Sequence, residues 1–141
     1  MTIIFICTGN SCRSQIAEGF AKNLFGNSFI IQSYGFRPEA INQFAIEVMN
    51  EVGIDISGQS SKMIDEELIG TADIVITLCG DALDRCYNMS SSKQHIHWPI
   101  PDPAKVTGSD DVVREDFRVV RDLIKKYIIE LNKKIDVTYE K

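Results

Sequence analysis

Apolar residues fall into two kinds of run along the chain. Short continuous runs predict buried strands: Ile3-Ile4-Phe5-Ile6, then Phe29 to Ser33, then Asp73 to Leu78. His95 to Ile100 is a fourth, weaker strand. Spaced runs predict helices packed by one face. Gln15 to Phe25 is the first. In the second, Ile41, Phe44, Ala45, Val48 and Met49 share a face, Pro38 suits its first turn and Gly53 its stop. Met63 to Ile69 is a short third helix, with Gly70 ending it. Val113, Phe117, Val120, Ile124, Tyr127, Ile128 and Leu131 form the stripe of a long last helix, capped by Ser109 or Asp110. Ile54 to Lys62 reads as a Ser- and Gly-containing connector, Asp81 to Tyr87 as a short helix or mobile loop, and Asn88 to Lys93 as a polar turn. Pro101 to Ala104 is a rigid loop. Strands alternating with helices imply a parallel sheet with right-handed crossovers, hence an α/β fold: a single-domain, open four-stranded parallel sheet flanked by helices on both faces. The domain is expected over residues 1–135, with a polar, frayed tail over 136–141.

Composition narrows the function classes. A chain of 141 residues can bury a sizeable core. Its net charge of −5, with no basic block, argues against a nucleic-acid partner. No apolar run approaches the ~20 residues of a membrane helix, and Ile3 to Ile6 is too short for a secretion signal. A cytoplasmic monomer without a membrane partner is expected. The four cysteines at 7, 12, 79 and 86 are therefore not expected to form a static disulfide frame. Their spacings do not match the close pairs of structural zinc sites, so no metal is expected and catalytic or redox use is favoured.

The chemistry concentrates in Cys7-Thr8-Gly9-Asn10-Ser11-Cys12-Arg13-Ser14, between the first strand and the first helix. Gly9 and Asn10 tolerate positive φ, so the backbone can curl and aim its amides inward. The helix N-terminus adds partial positive charge. Arg13 can fork onto two oxygens of an anion. The same field favours thiolate at Cys7, the nucleophilic form. One loop can thus hold a tetrahedral oxyanion and attack its central atom. The competing view is a buried structural cysteine beside a capping turn. Two apolar strands each end in a cysteine, Cys7 and Cys79, and the C-terminal strand ends of an open parallel sheet share the ligand-binding edge.

Cys-x5-Arg-Ser directly after the first strand resembles the low-molecular-weight protein tyrosine phosphatase fold. Three further features shift the resemblance within that fold: Thr77-Leu78-Cys79-Gly80-Asp81-Ala82, the later Cys86, and Asp102-Pro103-Ala104. With Val52 to Ser57 and Phe117 to Asp122, they are similar to the thioredoxin-coupled arsenate reductases of this superfamily, from Ile3 to about Ile135. That resemblance implies reduction of arsenate to arsenite. Thr8, Gly9, Asn10, Ser11, Cys12, Arg13 and Ser14 would bind the oxyanion, and Ser14 would steady the Cys7 thiolate. Cys7 would attack, Asp102 would act as acid, and Cys79 then Cys86 would carry the oxidation outward as disulfides. Thioredoxin would supply the electrons, with no resident cofactor. Cys12 would be structural or a backup.

The alternative is hydrolysis of phosphotyrosine or aryl phosphates. Tyrosine phosphatases of this fold usually carry an aromatic residue after Asp-Pro, whereas this chain has Ala104. A third reading is a non-catalytic redox or arsenite-binding module. His95 and His97 are read as structural. The chain departs from the reductases at Tyr87, where proline is frequent, and at Lys105 to Ser109. Some members bind potassium through positions matching Asn10, Glu18, Ser33 and Ser60 plus an acidic residue where this chain has Lys62. A lysine there implies a weak or absent potassium effect.

Overall fold

β1 (Thr2–Cys7) lies in the middle of the sheet, and its sequence explains why. Ile3 and Phe5 point into one core while Ile4 and Ile6 point into another. A strand buried on both faces needs a continuous apolar run, not an alternating one. The computed structural model describes residues 1–80 and 94–139, with side chains through Ile135. Around β1 the order is β2 (Ile30–Gly35), β1, β3 (Ile74–Thr77), β4 (Gln94–His97), and every pairing is parallel. The four-stranded α/β sheet expected from the sequence is the one observed.

The larger core lies under α1 (Arg13–Phe25), α2 (Gln43–Asn50) and α4 (Asp110–Tyr139). The stripe of α4 does the covering, with Phe117, Val120, Ile124 and Ile128 buried. On the other face α3 (Glu66–Thr71) seats Ile69 against Ile4, Ile6 and Val75. Gly19, in mid-helix on α1, is explained by close approach: a Cβ there would lie 2.7 Å from Ile56 Cγ2. Among the described residues, no helix is long and apolar enough to cross a membrane.

Several boundaries differ from the sequence expectation. Pro38 does not open α2; Asn42 caps it, accepting from the amides of Phe44 and Ala45. The preceding segment is tied to the loop after β1 instead, its Arg37, Glu39 and Asn42 amides donating to the carbonyls of Thr8, Gly9 and Ser11. Met63 lies outside α3 in a parallel bridge with Gly35, and Gly70 lies inside α3. β4 stops at His97; Trp98 donates one more bond, to Thr77, and Pro99 has no N–H to continue the ladder. Of the two candidate caps of the last helix, Ser109 is used. The backbone of α4 continues to Tyr139, beyond the expected fraying point. The expectations for Asp81 to Lys93, Cys86 included, lie outside the described residues.

One ion-pair network locks α2 to α4. Arg121 is nearly buried; its Nη1 donates to Val48 O at 2.9 Å and to Glu51 Oε1 at 2.8 Å. Arg118 Nη2 donates to Glu51 Oε2 at 2.8 Å in a more exposed setting. Hydrogen bonds from Arg118 hold the Glu51 carboxyl down at about 2; burial opposes them, and Arg121 adds a smaller lowering. Because the folded value is lowered, this contribution is complete above the ordinary value of 4.5 and is lost as pH falls toward 2. Arg121→Ala strands the Val48 carbonyl, so it should cost on the order of 1–3 kcal/mol in urea unfolding. Arg118→Ala, at an exposed pair, should change the midpoint little. Equal losses from the two variants would contradict this ranking.

Candidate active site

The loop after β1 turns at Asn10, whose φ is 49°, the one positive φ outside glycine among the described residues. Asparagine tolerates that conformation better than most residues. The turn is held from several sides. Asn10 is fully buried; its Nδ2 donates to Ser14 Oγ and to Ser33 Oγ, both at 2.8 Å, and its Oδ1 accepts from the Lys62 amide at 2.8 Å. Across the β1–β2 register Cys7 pairs with Gly35. A Cβ at Gly35 would lie 2.7 Å from Thr8 O and 2.9 Å from Asn10 N, so only glycine lets β2 pass this close to the loop.

These bonds orient the nucleophile. Ser14 Oγ accepts from Asn10, which leaves its own hydrogen for Cys7 Sγ at 3.2 Å. α1 begins at Arg13, and Cys12 at its N-cap supplies no side-chain cap, so the positive end of the helix opens at the loop.

Arg13 is fixed by the ends of other strands. Its Nη1 donates to Leu78 O at 3.2 Å and Ile100 O at 3.0 Å. Its Nη2 lies 3.6 Å from Asp102 Oδ2. Arg13 Nε is buried and makes no hydrogen bond among the described residues, an arrangement suited to an oxyanion acceptor. Asp102 is held by the amide of Ala104, which donates to its Oδ1 at 3.0 Å at the start of the 3₁₀ turn Pro103–Lys105.

Cys7, Thr8, Cys12, Arg13, Cys79 and Asp102 line one cleft of about 490 Å³, which Arg37, Glu39 and Lys105 also border. Cys79 Sγ is 3.3 Å from Thr8 Oγ1, so the second cysteine reaches the loop from the end of β3. Of the predicted oxyanion residues, Gly9 and Ser11 also line the cleft, while Asn10 and Ser14 support it from behind. Cys86 lies outside the described residues. No aromatic side chain borders the cleft among the described residues. His95 and His97 meet Thr77 Oγ1 at 3.3 and 2.9 Å, at the sheet and not in the cleft. Burial, with His97 beside it, lowers the His95 pKa.

Sequence reasoning missed a group of residues beneath the loop. Gln15, Gln59 and Ser61 hydrogen-bond the loop or one another. Their spacing in sequence carries no periodic signal that would join them to Asn10.

The fold is that of the low-molecular-weight phosphatases, and the model of the low molecular weight phosphotyrosine protein phosphatase family matches residues 2–140. The chain belongs to that family. Within it, the chain is 48% identical to an arsenate reductase of Halalkalibacterium halodurans over 126 residues, 89% of this chain and 91% of the relative. It superposes on a solved arsenate reductase in its phosphate-binding state with a TM-score of 0.81 at 37% identity, covering 95% of this chain and 98% of the other. A thioredoxin-dependent arsenate reductase of Corynebacterium glutamicum is similar too, with a TM-score of 0.74 at 29% identity, covering 97% of this chain and 62% of that one.

The thiols of the cleft are not equivalent. Burial, then the negative charges of Cys7 and Asp102, push Cys12 up to about 12 despite the nearby Arg13. It therefore stays protonated at neutral pH and unreactive. Brief alkylation of the reduced native protein at pH 8, read by peptide mass mapping, should label Cys7 and spare Cys12. Comparable labelling of both would contradict this division.

Proposed function

We propose that the protein is an arsenate reductase that works by a three-cysteine relay recycled by thioredoxin. One observation carries the reading: Cys79 reaches the anion loop that holds Cys7, through its 3.3 Å contact with Thr8. A phosphatase needs only the first thiol. A second thiol in the same cleft gives electrons a route, because arsenic(V), unlike phosphorus, accepts two from thiols forming a disulfide. The arsenate reductases among the relatives support the same reading.

The proposed steps are these. Arg13 and the α1 N-terminus neutralise the oxyanion, and the Cys7 thiolate attacks arsenic. Asp102 gives a proton to the departing oxygen, which leaves as water. Cys79, as thiolate, then attacks Cys7 Sγ. The sulfur–arsenic bond breaks with its electron pair passing to arsenic, which leaves as arsenite, and a Cys7–Cys79 disulfide remains. Cys86 attacks Cys79 Sγ, freeing the Cys7 thiolate and forming Cys79–Cys86. The dithiol of thioredoxin reduces that bond in a reducing cytoplasm. The thiols thus supply both electrons at each turnover.

Aryl phosphate hydrolysis is the second reading, favoured by the Cys7, Arg13 and Asp102 set alone. The absence of an aromatic wall among the described residues and the small side chain of Ala104 weigh against a phosphotyrosine substrate. Cys79→Ser separates the two. It should abolish multiple-turnover arsenate reduction while sparing slow aryl phosphate hydrolysis, and Cys86→Ser should stop after one turnover. Sustained reduction by Cys79→Ser would refute the relay.

The residues present do not fit a bound potassium ion. Lys22 Nζ already bonds Glu18 at 2.6 Å, and Lys62 Nζ donates to Ser60 O at 3.2 Å beneath the ring of Tyr34. Replacing sodium by potassium at constant ionic strength should leave kcat/KM unchanged. A clear rise with potassium would show that these ammonium groups do not take its place.

A further inference from the structure

Gln15 is fully buried, and no chemical step uses it. It follows Ser14 on α1 without lining the cleft. Its Nε2 donates to Asn10 O at 2.9 Å and to Ser60 O at 3.1 Å. Its Oε1 accepts from Gln59 Nε2 at 2.8 Å, and the same Nε2 lies 3.1 Å from the Gln15 carbonyl. Both donor hydrogens of the Gln15 amide are therefore committed. Ser61 Oγ adds a second bond to Asn10 O at 2.8 Å, and the Lys62 amide holds Asn10 Oδ1. Ser61 and Lys62 thus meet Asn10, the one non-glycine residue with positive φ among the described residues, through its backbone and its side chain.

We infer that Gln15 and the segment 59–62 form a brace that keeps Asn10 in its left-handed conformation, and that Gln15 and Gln59 are positioning residues for oxyanion affinity. The left-handed state is unfavourable for a non-glycine residue and persists only where its surroundings over-determine it. Two donors converge on Asn10 O and hold the peptide plane that follows. Without them, that plane rotates and the next amide swings away from the cleft. Arg13, held by Leu78 and Ile100, stays in place, so the loss falls on the loop. The inference rests on the reading of residues 7–14 as an oxyanion loop, and not on arsenate as the substrate.

The test uses inorganic phosphate as the probe, on the reduced full chain. Gln15→Met keeps the volume and removes both donors. Gln59→Met, on the partly exposed segment, removes the support of Gln15 with less risk to folding. Calorimetric titration should give a phosphate Kd raised about tenfold by the first variant, as expected for loss of two buried hydrogen bonds, and raised less by the second. Cys7 alkylation should slow in the same order, with the Tm of Gln59→Met near that of the parent. If Gln15→Met fails to fold, Gln59→Met decides alone. Unchanged phosphate affinity in the folded variants, with only Tm lowered, would overturn the brace. A parent that binds no phosphate would overturn the oxyanion reading and the brace with it. Phosphate binding without arsenate turnover would overturn only the reductase, and the brace would stand or fall by the variants.

Discussion

Asn10 is the residue on which the site depends. Its left-handed backbone turns the chain from β1 into α1. Its side-chain amide sets the direction of the hydrogen bonds around it: donating to Ser14 frees the Ser14 hydrogen for Cys7, and donating to Ser33 joins the loop to β2. A neighbouring glycine, Gly35, lets the strand come close enough for this to happen. Cys7 is therefore oriented by residues that do not line the cleft. This is how a fold can keep a strained turn without tension at the reacting atom: the support lies behind the loop.

The three described cysteines illustrate how environment divides labour among identical side chains. Cys7 sits at a strand end with a hydroxyl donor, facing Arg13 across the cleft. Cys12 is one residue before that arginine, but burial and its anionic neighbours hold it protonated. Cys79 arrives from β3, a parallel neighbour of β1, so sheet topology alone places it beside the loop. A parallel sheet brings the C-terminal ends of sequence-distant strands to one edge, and a relay between sulfurs needs that proximity.

The legible parts of the chain were those governed by local order. The continuous apolar run of β1, the cysteine after it and the arginine opening α1 follow from residue type and neighbour. So does the stripe of α4. What could not be read was set by distant hydrogen bonds. Pro38 reads as a helix start, yet Arg37, Glu39 and Asn42 spend their amides on the carbonyls of the anion loop, which ties that segment to the loop. Ile54 to Lys62 reads as a connector, yet Gln59, Ser61 and Lys62 fasten to Gln15 and Asn10. Polar side chains meeting across 44 to 52 positions leave no periodicity to detect. The low hydrophobicity of such a segment suggests freedom, whereas its hydrogen bonds tie it to the site.

In the proposed reaction, electrons reach arsenic through the protein's own thiols. Arsenate-dependent oxidation of NADPH, coupled through thioredoxin and thioredoxin reductase, measures it most directly, with glutathione and glutaredoxin as the comparison. The account predicts sustained turnover with thioredoxin alone. Turnover only with glutathione would contradict the internal relay, and no turnover with either, beside brisk aryl phosphate hydrolysis, would contradict the reductase itself.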